Sequence, residues 1–147
     1  MPIHGGPSKT RSGAAIALVA HDAKKAELIS WAGRHQDVLK RCRLVATRTT
    51  GAQLAAEVRL AADCVESGPL GGDQQIGAMI VEGKIAMVVF FTDPLSAHAH
   101  DCDVRALLRL AVVHNVPIAP NPASADLLLS DLVHDVHGTG PAKLDVA

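Results

Sequence analysis

KIAMVVFF, Lys84 to Phe91, is apolar at every position after its lysine. A strand with one wet face alternates polar and apolar residues, whereas a strand covered on both faces reads as an unbroken apolar run. The stretch therefore predicts a buried strand. Upstream, IALVA (Ile16 to Ala20) and RLVAT (Arg43 to Thr47) read the same way, with a shorter strand near Cys64 and Val65. VPIAP (Val116 to Pro120) supplies another downstream. Between the strands the apolar spacing switches to three or four residues, which predicts helices over 23–41, 52–62, 72–82, 103–115 and 123–132. Strands alternating with helices imply an α/β fold: a mostly parallel sheet flanked by helices on both faces.

The chain of 147 residues is read as one domain over 14–132, with a Gly-, Ser- and Pro-rich tail at 1–13 expected to be disordered and a C-terminal tail at 133–147. Its 48% hydrophobic content rests on aliphatic residues, with one Trp, two Phe and no Tyr. That leaves no aromatic platform for stacking bases, and a formal charge of -1 gives no pull toward nucleic acid or an anionic membrane. Lys9 and Arg11 ahead of AAIALVA (Ala14 to Ala20) loosely resemble a signal peptide. The run is short for that role and stops abruptly at His21-Asp22, so it is read as the first strand. Cys42, Cys64 and Cys102 are odd in number and share no CxxC spacing. They read as free thiols, and the expected compartment is the reducing cytoplasm.

Ligands of open α/β sheets sit beyond the carboxyl ends of the strands. Polar clusters follow those ends in turn: HDAKK from His21, TRTTG from Thr47, SGPLGGDQQ from Ser67 and TDPLSAHAHDCD from Thr92. In TRTTG the hydroxyls and free N–H groups of a starting helix make an anion site. The plainer alternative is that Thr49 or Thr50 only caps that helix. Ser67-Gly68 is a second small turn of the same ambiguity. Lys25 lies four residues after His21, so both can point toward one crevice, although most helical lysines simply face solvent. Asp73 opens the helix over 72–82 and reads either as its cap or as a reacting carboxylate. A helix start favours its charged form, and desolvation opposes that. HAHDCD (His98 to Asp103) holds metal-ligand residue types without a zinc-like spacing. An imidazole oriented by a neighbouring carboxylate is an equally good catalytic electrophile, and Asp103 reads also as the N-cap of the following helix.

Taken together, IALVAHDAKK, ATRTTG, SGPLGGDQQIGA, EGKIAMVVFFTDPLSAHAHDCDVRALLRLA and NPASAD resemble the methylglyoxal synthase family, in order, from about Ile16 to Leu129. The resemblance implies a five-stranded parallel sheet in a three-layer sandwich and a homohexamer. It implies a lyase that needs no metal or other cofactor and turns dihydroxyacetone phosphate into methylglyoxal and inorganic phosphate, with phosphate also an inhibitor. It assigns Asp73 as catalytic base. It places Lys25, Thr47, Thr49, Thr50, Ser67 and Gly68 on the phosphate, His21 and His100 on the substrate, and Asp22 and Asp103 as supporting carboxylates.

Three positions depart from the family pattern. Arg48 stands where a small residue is usual: either it is a further phosphate contact, or its side chain points outward and only the backbone role is kept. Thr92 replaces an aromatic residue before DPL, and Cys102 replaces a proline. Two rival readings remain at this point. One is a non-catalytic sensor of phosphorylated effectors, which would have no use for a base opposite an electrophile. The other is a metal-dependent hydrolase built on HAHDCD.

Overall fold

The computed structural model describes residues 13–95 and 104–137. Five strands form one sheet: β1 (Ala15–Ala20), β2 (Arg43–Thr47), β3 (Asp63–Val65), β4 (Ile85–Phe91) and β5 (Ile118–Ala119). Every pairing is parallel, and the order across the sheet is β3-β2-β1-β4-β5. The order reverses between β1 and β4, and a reversal of this kind opens a crevice at the carboxyl ends of the two strands.

The helices are α1 (Lys25–Arg34), α2 (Gln36–Leu39), α3 (Arg48–Val58), α4 (Gly72–Val81), α5 (Val104–Val113) and α6 (Pro122–His137). Successive side chains of a strand point to opposite faces, and the core divides accordingly. Ile16, Leu18 and Ala20 of β1 join Leu28, Trp31, Leu54 and Leu129 from α1, α3 and α6. Ala15, Ala17 and Val19 join Ile76, Ile80, Leu107 and Ala111 from α4 and α5. Three layers result. In β4 the pairing with β1 shifts between Ala15 and Ile16, so that Ile85 faces Ala15 and Met87 faces Ile16. Ala86 is the extra residue, and it lies with Met87 in the same core, as a β-bulge requires.

The expected single helix over 23–41 is broken. A 3-10 turn over Asp22–Lys24 precedes α1, and the backbone leaves the helix at His35. Tertiary contacts at His35 override the local pattern there. Its Nε2 lies 2.9 Å from Asp126 Oδ1, its ring packs on Trp31 at 4.9 Å, and Trp31 Nε1–H donates to the same Asp126 oxygen at 2.8 Å. That bond from Trp31, aided by His35 and Arg34, holds the Asp126 carboxyl below its ordinary value. Helix α6 also runs past the expected end at 132, to His137. At its start Asn121 Oδ1 accepts the Ser124 N–H at 2.9 Å ahead of Pro122, a residue pre-set for a first helical turn.

Asp126→Ala is expected to cost about 1 kcal/mol at neutral pH, the low end for orphaning a buried donor because water reaches this half-exposed carboxylate. The carboxyl is lowered in the folded state, so its contribution is complete above the unfolded carboxylate range and disappears as pH falls through the folded value. Urea denaturation of both proteins at neutral and at strongly acidic pH checks this, and an unchanging gap would contradict it.

Candidate functional site

Because all five strands are parallel, the loops after β1, β2, β3 and β4 leave the same edge of the sheet. His21, directly after β1, is 9% exposed, and its ring meets Phe90 edge-on at 5.2 Å. Its N–H donates to Phe91 O at 3.1 Å, tying the loop to β4 across the reversal. The Asp93 N–H donates to His21 Nδ1 at 2.9 Å. A backbone N–H can only donate, so Nδ1 carries no proton and the neutral ring presents Nε2–H as a donor. Asp93 was not among the residues singled out from sequence, because the contact is made by its backbone.

Lys25 begins α1 with its ammonium 2.6 Å from Asp22 Oδ1 and 3.5 Å from Ala20 O. Asp22 is thus a partner that fixes the lysine near the carboxyl end of β1. Helix α3 starts at Arg48, four residues before the expected start at Ala52, and Thr47 in extended backbone stands at the N-cap. Thr49 and Thr50 therefore lie inside the first turn and are not caps. Thr47 and Thr50 are buried with their hydroxyl oxygens 3.4 Å apart, and Thr49 is exposed. This turn sits tight against β3, since a Cβ on Gly51 would lie 2.3 Å from Cys64 Sγ. Arg48 points outward and pairs with Glu66, Nη2 to Oε2 at 3.2 Å.

Beyond β3, Ser67 precedes a 3-10 turn over Gly68–Leu70. Ser67 O accepts the N–H groups of Leu70 at 3.0 Å and Gly72 at 2.9 Å, which folds the segment back on itself. Gly71, at φ +103, caps α4, and Asp73 is the second residue of the helix, 6% exposed. The N-cap position is taken by a glycine, and Asp73 lies inside the first turn. Gln75 Oε1 accepts the Glu66 N–H at 2.7 Å and ties the first turn of α4 to the end of β3.

The fold thus brings His21, Asp22, Lys25, Thr47, Arg48, Thr49, Thr50, Ser67, Gly68 and Asp73 to loops or helix starts that leave one edge. His100, Asp103 and the rest of HAHDCD lie outside the described residues. Among the described residues no group of three or more His, Cys, Asp or Glu side chains could hold a metal ion, and no helix is long and apolar enough to cross a membrane. Hydroxyl-bearing turns, a lysine and helix N-termini suit a phosphate group. A buried carboxylate and an imidazole donor on the same edge of the sheet suit proton abstraction beside a carbonyl.

The MGS-like domain family matches residues 27–119 of the chain. The methylglyoxal synthase of Cellvibrio japonicus is 54% identical over 116 residues, 79% of this chain and 75% of the relative. The methylglyoxal synthase of Thermus thermophilus is 53% identical over 116 residues, 79% of this chain and 92% of the relative. The crystal structure of methylglyoxal synthase from Elizabethkingia anophelis superposes with a TM-score of 0.77 at 46% identity, covering 84% of this chain and 79% of that one.

Proposed function

This chain belongs to the MGS-like family, and we propose that it is a methylglyoxal synthase, a lyase converting dihydroxyacetone phosphate to methylglyoxal and inorganic phosphate. The observation that carries the reading is the burial of Asp73 at the start of α4, one residue past the glycine whose N–H is held by Ser67 O.

Asp73 takes a proton from the hydroxymethyl carbon. That proton is acidic enough only when the neighbouring carbonyl is polarised, the role assigned to His100, with Asp103 supporting it. His21 Nε2–H is a further donor for the oxygens of the resulting ene-diolate. The phosphate rests on Thr47, Thr49, Thr50, Ser67, Gly68 and Lys25, and Asp22 fixes the lysine. Arg48 acts at the rim of this cradle.

Holding the phosphate decides the product. With its C–O bond roughly perpendicular to the ene-diolate plane, the electron pair flows into that bond and phosphate leaves. With the bond in the plane, the phosphate stays and the sugar merely isomerises. Two turns and a lysine gripping the phosphate can impose the perpendicular arrangement. Loss of phosphate leaves the enol of methylglyoxal, which tautomerises.

Free phosphate fits the same cradle and acts as an inhibitor. A homohexamer is supported by the resemblance and by exposed apolar side chains such as Leu108 and Val112 on α5. The cytoplasm suits free thiols such as Cys42 and Cys64. The test is incubation with dihydroxyacetone phosphate in excess chelator. Methylglyoxal and phosphate released in equal amounts are the expected result, and turnover that needs added metal would overturn it.

A further inference from the structure

Arg48 and Glu66 belong to different phosphate-holding segments of the proposed site. Arg48 is the first residue of α3 and sits between Thr47 and Thr49, while Glu66 directly precedes Ser67. Their side chains meet at 3.2 Å and are 63% and 42% exposed. Glu66 is held in place from its other side, where its N–H is accepted by Gln75 at 2.7 Å. A carboxylate in this position is an obstacle to a dianion. Its repulsion reaches across several ångströms, within the Debye length of dilute buffer.

Resting on the proposed function, we infer that Arg48 and Glu66 form a charge-compensated pair at the rim of the phosphate cradle, and that their balance sets the affinity for phosphate dianions. Arg48 neutralises Glu66 and so lets the dianion approach. The pair adds no net charge of its own, so the threonine and serine turns and Lys25 still do the holding. A pair this exposed contributes little to stability, so altering it leaves the fold intact.

The test is titration of inorganic phosphate into the full-length protein by calorimetry at low ionic strength, for wild type, Arg48→Gln, Glu66→Gln and the double variant. The two single variants move affinity in opposite directions. Glu66→Gln tightens phosphate by about three- to tenfold and Arg48→Gln weakens it by a similar factor. The double variant returns to within about twofold of wild type, and all differences shrink when salt is raised to about 0.5 M. A pair that merely braced the two turns would weaken binding in both single variants, and that result overturns the inference. So do affinities that do not move, or a wild type that takes up no phosphate. If opposite shifts were seen in a protein that made no methylglyoxal, the pair would stand and the proposed catalysis would fall.

Discussion

Asp73→Asn is expected to lower kcat for methylglyoxal formation by about two to four orders of magnitude, the usual range for loss of a general base. The substitution is nearly isosteric, which matters at a site only 6% exposed. The carboxamide occupies the same space at the second position of α4 but cannot take a proton from carbon. The proposed phosphate contacts are made by other residues, so KM is expected to change far less than kcat. Removing a negative charge from a helix start costs about 0.3–1 kcal/mol, so a small drop in melting temperature accompanies the loss. Steady-state kinetics by phosphate release check the split, and a kcat within tenfold of wild type would remove Asp73 from the role of base.

Gly72→Ala has the second large effect, and its cause is steric. A Cβ there would stand 1.9 Å from the Glu66 carbonyl oxygen, 2.9 Å from the Glu66 carbonyl carbon and 3.1 Å from the Ser67 carbonyl carbon. All three are backbone atoms, so no side-chain rotation relieves the clash. The turn between β3 and α4 has to move, which breaks the Gly72 N–H bond to Ser67 O and shifts Asp73 with it. A loss of about 2–4 kcal/mol in stability is expected, as for other forced overpacking and strain. In the molecules that remain folded, kcat/KM drops by about a hundredfold or more, because a displacement near 1 Å is costly in a site that works by positioning. Urea unfolding and kinetics on the same preparation test both parts. A variant as stable and active as wild type would mean that the turn tolerates what its geometry forbids.

How far this was legible in the sequence depended on whether the cause was local. The apolar run of β4 and the alternation of strands with helices identify the sheet, because burial on both faces leaves its mark on every residue. The polar loops mark the edge of the candidate site for the same reason, since parallel strands send all their carboxyl ends one way. The early start of α3 was hidden, because two threonines and an arginine look like a loop until Arg48, Thr49 and the buried Thr50 are seen to form its first turn. Its early end was hidden too. Arg59 takes the left-handed cap, φ 57, that glycine usually marks, and Leu60 turns back to bond Leu54 O and bury itself. The break at His35 depends on Asp126, 91 residues away, which no local pattern contains. Likewise the Arg48–Glu66 pair and the Asp93 contact to His21 join loops that only the sheet order makes neighbours.

Whether dihydroxyacetone phosphate is eliminated or isomerised is tested most directly by one NMR time course in heavy water. Dihydroxyacetone phosphate is incubated with the full chain and chelator, and phosphorus and proton spectra are followed together. Inorganic phosphate and methylglyoxal appearing at equal rates, with no glyceraldehyde 3-phosphate building up, is the expected result. Glyceraldehyde 3-phosphate forming in place of free phosphate, or a substrate signal that never changes, would contradict it.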